Sequence, residues 1–176
     1  MEQHPALDGL SQAELDTVCM REALRAAEEA AVRGEVPVGA VILWEDPEGK
    51  RSIISRASNA RETEKCALEH AECRAIADAC RALGGWRLHR ATMYVTLEPC
   101  PMCAGAIVNA RIRRVCFAAA DPKAGAYGSV FNLNDYPLNH RPEVEAGVLE
   151  AESRELLTRF FRSVRSGEKQ PATGSG

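Results

Sequence analysis

Apolar positions change period several times along the chain, and each change marks an element. Leu15, Cys19, Ala23, Ala26 and Ala30 recur at helical spacing. Ser11 followed three residues later by Glu14 has the form of a capping box. Together they predict a helix from residue 11 to about 33, closed by Gly34, whose many alanines make a slim face suited to close packing on a sheet. Residues 36–44 form a nearly continuous apolar run and read as a buried strand. The turn Asp46-Pro47-Glu48-Gly49 leads into a second strand near 52–55, as an antiparallel hairpin. Residues 59–68 read as a loop, 70–83 as a helix that stops at Gly84-Gly85, and 92–96 as a third strand. Pro101 takes the favoured first position of a helix reaching about 110, and 114–118 is a fourth strand. Residues 121–139 are rich in Gly, Pro and Asn and make a long loop with room for one short helix. A fifth strand at 143–149 and an amphipathic helix at 153–166 complete the pattern, with a frayed tail at 167–176. This alternation predicts one α/β layered domain over residues 1–166.

Composition narrows the setting. A chain of 176 residues suits one sizeable core. The first twenty residues lack the apolar stretch and basic start of a signal peptide, and the 38–44 run is far too short to span a bilayer. A soluble, intracellular protein is expected. Its seven cysteines are an odd number and read as buried thiols or metal ligands, not as a secreted disulfide framework. The net charge of −3 offers no general attraction to a polyanion. Cations are nevertheless clustered, with Arg87, Arg90, Arg111, Arg113 and Arg114 in one group and Arg154, Arg159, Arg162, Arg165 and Lys169 in another. Such clusters meet phosphates in some proteins and are plain solvated faces in others.

Candidate chemistry comes from two separated stretches, His70-Ala71-Glu72 and Pro99-Cys100-Pro101-Met102-Cys103. The second lies where a strand hands over to a helix, with Cys100 near the N-cap and Cys103 one turn on. A helix N-terminus favours thiolate, the form that zinc binds. His70 opens its own helix. One nitrogen and two thiolate ligands leave a zinc position open for water, and Glu72, two residues from a ligand, is placed to move protons without binding the metal. Two other arrangements remain open to these residues. Cys73 could complete a closed structural site with His70, Cys100 and Cys103, although Cys66, Cys73 and Cys80 repeat every seven residues as a buried helix stripe would. A redox dithiol would need neither His70 nor Glu72.

The pairing of His-x-Glu with Pro-Cys-x-x-Cys is the signature of zinc nucleobase deaminases. Beyond it, Glu35-Val36-Pro37-Val38-Gly39-Ala40-Val41, Asn59, the block from Tyr94 through Glu98 to Ala106, and Asn139-His140-Arg141 are similar to the bacterial tRNA-specific adenosine deaminases, a branch of the cytidine-deaminase-like superfamily. The resemblance runs over about 15–165. It implies a three-layer α/β/α sandwich with a five-stranded mixed sheet, a cytoplasmic homodimer with one Zn2+ per subunit, and a tRNA anticodon stem-loop as partner. The reaction implied is adenosine to inosine at wobble position 34 of an arginine tRNA with anticodon ACG. His70, Cys100 and Cys103 would hold the metal and Glu72 would shuttle protons. The resemblance further implies substrate contacts from Asn59, the Ala71 N–H, Val38, Asp121, Phe160 and Arg162. A free-base guanine or nucleoside deaminase with the same zinc and glutamate is the alternative. Three departures stand out: Cys66-Ala67-Leu68-Glu69 before His70, where Asp-Pro-Thr-Ala is frequent; Ala120 in place of an arginine; and a longer, acidic hairpin at 44–50.

Overall fold

A computed structural model of the chain describes residues 7–167. Its first helix, α1 (Gln12–Val32), opens with the capping box complete. The Ser11 hydroxyl accepts the Glu14 N–H, and the Glu14 carboxylate accepts the Ser11 N–H at 2.9 Å. The strands are β1 (Gly39–Glu45), β2 (Arg51–Ser58), β3 (Ala91–Leu97), β4 (Arg114–Ala119) and β5 (Glu143–Ala146). The further helices are α2 (Arg61–Glu64), α3 (Ala71–Leu83), α4 (Pro101–Ala110) and α5 (Glu150–Ser166). A five-stranded mixed sheet has the order β2-β1-β3-β4-β5. β1 runs antiparallel to both its neighbours, while β3, β4 and β5 are mutually parallel.

The nearly unbroken apolar runs in the central strands have a direct physical reading, because both faces of this sheet are covered. Ile42, Met93, Val95, Val115 and Phe117 face one core, shared with Ala71, Ala75 and Ala79 of α3 and Ala104 and Ile107 of α4. Their alternates Val41, Leu43, Tyr94, Cys116 and Ala118 face a second core with Leu15, Cys19, Met20 and Ala23 of α1. Leu156 of α5 joins Leu24 and Ala27 of α1 in a small third cluster. The result is the expected α/β/α sandwich, with α3 and α4 on one face and α1 and α5 on the other. The helix face of Ala104, Ile107 and Val108 is buried within the single chain.

Helix and sheet come into direct backbone contact at Gly39. A Cβ there would fall on the Ala23 carbonyl and lie 2.6 Å from the Ala27 nitrogen of α1. The alanine face of α1 and this glycine are therefore two halves of one contact. A buried polar network ties the same helix to the sheet. Arg114 grips Asp16 in a bidentate pair at 2.7 and 2.8 Å, and the Tyr94 hydroxyl and Gln12 amide each donate to Asp16 Oδ1 at 2.7 Å. Burial pushes the Asp16 carboxyl upward, but the Arg114, Tyr94 and Gln12 donors outweigh it and hold the group below its ordinary value. An acid whose folded pKa is depressed adds stability above its unfolded value, near 3.9, and loses it as pH falls through the folded value. Asp16→Asn is expected to cost about 3 kcal/mol at neutral pH and to flatten the fall in stability below about pH 4. Denaturant midpoints measured against pH check this, and equal acid slopes for both proteins would refute it.

Several boundaries differ from the sequence pattern. β1 begins at Gly39, not at 36, because Pro37 lacks an N–H and the Val38 N–H turns back to the Val36 carbonyl at 2.8 Å. β2 extends well beyond 52–55, through a register shift opposite Ile42 and Leu43. The loop at 59–68 contains the single turn α2, and the long loop contains a 3-10 turn at Leu133–Asp135. β5 ends at Ala146 because Gly147 turns the chain with φ 92°. α5 starts at Glu150, a turn earlier than expected. The tail expected at 167–176 lies outside the described residues except for Gly167, the C-cap of α5. Among the described residues no helix is long and apolar enough to cross a membrane.

Candidate metal centre and active site

Two helix N-termini converge on one point. His70 is the N-cap of α3 and Cys100 the N-cap of α4, both with extended backbone, and Pro101 opens α4 without sacrificing a hydrogen bond. His70 Nδ1 lies 3.7 Å from Cys100 Sγ and 3.5 Å from Cys103 Sγ. All three donor atoms fall within 4.8 Å of one another. An imidazole and two sulfurs around one point are the donor types and the spacing that suit zinc, so the residues fit the ion. The Cys103 and His70 groups beside it hold the Cys100 thiol down to about 4, while the Cys100 and Cys73 sulfurs and burial push Cys103 upward.

Glu72, in the first turn of α3, is 4% exposed and stands outside this donor set. Burial pushes its carboxyl up to about 7. Ala71 is fully buried, and its N–H is among the first-turn donors that an α-helix leaves without an intrahelical partner. Cys73 sits 3.8 Å from Cys103 Sγ, yet it is not within the mutual range of the three donors. The geometry therefore assembles three candidate donors where a closed site needs four. The proposed seven-residue cysteine stripe is also corrected: Cys66 lies in the turn after α2, and only Cys73 and Cys80 belong to α3. The unusual charge of Glu69 beside His70 is paired with Arg74.

Two buried carboxylates, given no role by the sequence, shape the walls. Glu35 is fully buried and accepts the N–H groups of Glu62 at 3.2 Å and Thr63 at 2.6 Å, and the Thr63 hydroxyl at 2.7 Å. It holds α2 and with it the segment carrying Asn59, whose own N–H bonds the Val38 carbonyl at 3.0 Å. Val38 and Asn59 are both buried. Glu98 accepts N–H groups from Asp121, Tyr127 and Ser129 at 3.0, 3.0 and 3.1 Å, and the Ser129 hydroxyl. This ties the 121–129 loop to the residue two before Cys100. Gly125 packs directly on that carboxylate, where a Cβ would collide. In both cases burial raises the carboxyl and the donors lower it further, leaving each group below its ordinary value. An acidic residue inside or beside an apolar run was the available signal, since buried carboxylates need partners.

The structure brings His70, Ala71, Glu72, Cys100 and Cys103 together, and sets Val38 against Asn59. Asp121 stands in the loop that Glu98 tethers, where its Oδ1 accepts the Lys123 and Ala124 N–H groups. Phe160 and Arg162 lie on α5, across the sheet from α3 and α4. Phe160 is 6% exposed, so its ring belongs to the core and not to a stacking surface. Its neighbour Phe161, in edge contact at 5.4 Å between centroids, is 43% exposed, and Arg162 is exposed.

Comparison with known proteins agrees with this geometry. A family model described as MafB19-like deaminase matches residues 15–165. A tRNA-specific adenosine deaminase from Bacillus subtilis is 49% identical over 155 residues, covering 88% of this chain and 93% of the relative. One from Haemophilus influenzae is 42% identical over 159 residues, covering 90% of each. A solved structure from work on A-to-I editing by tRNA:A34 deaminases at the wobble position superposes with a TM-score of 0.73 at 43% identity. It covers 80% of this chain and 99% of that one. A guanine deaminase from Nitrosomonas europaea, at 20% identity and a TM-score of 0.65, shares the fold, covering 82% of this chain and 83% of that one. With near-complete coverage at these identities, and the deaminase signature gathered at a single point, the chain belongs to the tRNA-specific adenosine deaminase family.

Proposed function

We propose that this chain is a zinc-dependent hydrolase that converts adenosine to inosine at wobble position 34 of tRNA, with an arginine tRNA of anticodon ACG as substrate. The observation that carries the chemistry is the placement of buried Glu72 beside a three-donor set built from two helix N-termini. The relatives at 42–49% identity support the RNA substrate. His70, Cys100 and Cys103 would hold one Zn2+ per subunit. When bound there, zinc supplies the Lewis acidity that makes water a nucleophile near neutral pH.

Glu72 performs the proton work. Its carboxylate takes one proton from the water that adds to C6 of adenine and delivers it to N1, then takes the remaining proton of the new C6 hydroxyl and passes it to the departing amine as the carbonyl forms. Adenosine and water are consumed, and inosine and ammonia leave. The Ala71 N–H donates to the base edge, and Val38 and Asn59 line the pocket for a nucleotide turned out of its stack. Asp121, Arg162 and the exposed ring of Phe161 meet flanking nucleotides, in keeping with RNA loops being read by stacking and 2′-OH contacts. Residues 1–166 act as one domain, and a tRNA substrate places the enzyme in the cytoplasm. Assembly as a homodimer belongs to the same reading, as the resemblance to the bacterial tRNA-specific adenosine deaminases implies.

The test is deamination of an anticodon stem-loop bearing ACG, beside free guanine, adenosine and cytidine. Inosine formed only in the stem-loop is the expected result. Turnover of a free base or nucleoside alone would keep the role of Glu72 and overturn the tRNA assignment. No turnover of any of them with zinc fully bound would overturn both.

A further inference from the structure

Some arginines of the described residues are neutralised by a carboxylate and others are not. Arg51, Arg56, Arg74, Arg114 and Arg154 each have a carboxylate within 3.4 Å. Arg87, Arg111 and Arg141 have none within ion-pair distance among the described residues, and Arg113 has only Glu45 at 3.9 Å. These four line one concave site of about 430 Å³, together with His89, His140 and a single carboxylate, Glu143.

The cations there are held in place by neutral groups. The Arg87 guanidinium lies 4.1 Å from the centroid of the Trp86 ring. Arg111 donates to the Val108 carbonyl at 2.7 Å and Arg141 to the Tyr136 carbonyl at 3.1 Å. His140 Nε2 is fixed by the Ile112 carbonyl at 2.7 Å. Rings and carbonyls orient a guanidinium without cancelling its charge, so the site is positive and partly organised before any ligand arrives. Planar guanidinium forks match phosphate oxygens. The site is also open, with Arg87, Arg113 and Arg141 exposed, which suits a chain of phosphates better than one enclosed anion. In a chain of net charge −3, the cluster offers RNA a local attraction that the overall charge does not.

Its position in the fold says which part of the substrate it meets. Arg113 precedes the first residue of β4, His89 stands before β3, and Glu143 opens β5. The site is therefore at the N-terminal ends of the parallel strands, whereas Cys100 follows the C-terminal end of β3. The seven residues of β3 alone set the two sites apart by roughly 20 Å. We propose that the Arg87/Arg111/Arg113/Arg141 cluster is a second RNA contact, binding the phosphate backbone of the tRNA body beyond the anticodon stem-loop. This rests on the tRNA reading above and extends it from a loop held at the metal centre to a substrate held at two places.

The test uses the full chain with zinc and the triple variant Arg87→Glu, Arg113→Glu, Arg141→Glu. Binding of full-length tRNA and of the isolated anticodon stem-loop is measured over a range of salt, with steady-state deamination of both. For full-length tRNA the variant is expected to raise Kd and KM by about tenfold or more, and to make the dependence of log Kd on log salt shallower by roughly 1 for each phosphate no longer neutralised. Values for the stem-loop should stay unchanged. A glutamine triple variant with a wild-type melting temperature and an intermediate effect separates the removal of charge from a failure to fold. Equal behaviour of the two RNAs, or unchanged tRNA binding, would overturn the proposal. So would stabilisation of the wild type, and not the variant, by inorganic pyrophosphate with tRNA affinity unaltered, which would mark a small-anion site. If the wild type binds full-length tRNA but deaminates neither RNA, the reading of the reaction fails while binding still decides the cluster. If it binds no tRNA, both fall.

Discussion

Glu72→Ala is expected to slow deamination by about 10²–10⁴-fold while leaving zinc content and fold intact. Glu72 lies outside the donor set, so its removal does not take a ligand from the metal. It is also buried in the first turn of α3, and among the described residues no other acid joins the three donors to replace it. The isosteric Glu72→Gln should lose as much activity, because an amide fills the space and cannot carry the proton. Single-turnover rates on the stem-loop, paired with metal analysis of the same samples, check this. Deamination at the wild-type rate in either variant would refute the mechanism. Loss of zinc from both would instead make Glu72 a ligand and require a different set.

Gly39→Ala is expected to be the most destabilising single methyl in the chain, at about 3 kcal/mol and a melting temperature about 10 °C lower. The new Cβ would overlap the Ala23 carbonyl and press on the Ala27 nitrogen, both backbone atoms of a helix that cannot yield locally. α1 must then lift from β1 along its alanine face, opening the core around Met20 and Val41. Gly105→Ala is the control. It lies inside α4 with nothing within 4 Å of the added carbon, so gain of helix propensity should stabilise it by up to about 1 kcal/mol. Thermal melts of the two variants side by side decide the matter, and a Gly39→Ala protein that melts with the wild type would show that the sheet and helix are not in tight contact.

The elements that local pattern specifies are those whose signals sit within one turn or one strand. α4 spans the ten residues predicted because Pro101 marks its first position and Cys100 its N-cap. α1 follows from Ser11, Glu14 and its alanine period. Both candidate cysteine donors, and the histidine with its glutamate, are visible for the same reason: each pair is held at fixed spacing by one helix start. Boundaries failed where backbone chemistry outweighed hydrophobicity, as at Pro37, or where a positive-φ glycine cut a strand short, as at Gly147.

Sequence alone thus pointed to the donor types and the proton carrier proposed above and determined the two-sided burial of the strands, since these depend on residue identity and short-range periodicity. Tertiary structure decided everything that requires two distant segments to meet. It set His70 within 3.7 Å of cysteines thirty residues away and left Cys73 beside Cys103 but outside the ligand set. It also buried Phe160 while exposing Phe161, put Glu35 and Glu98 under the loops they hold, and gathered four arginines from three segments around one pocket. None of these contacts has a local periodicity to betray it, because strand pairing and helix packing place them, and those are set by the whole core at once.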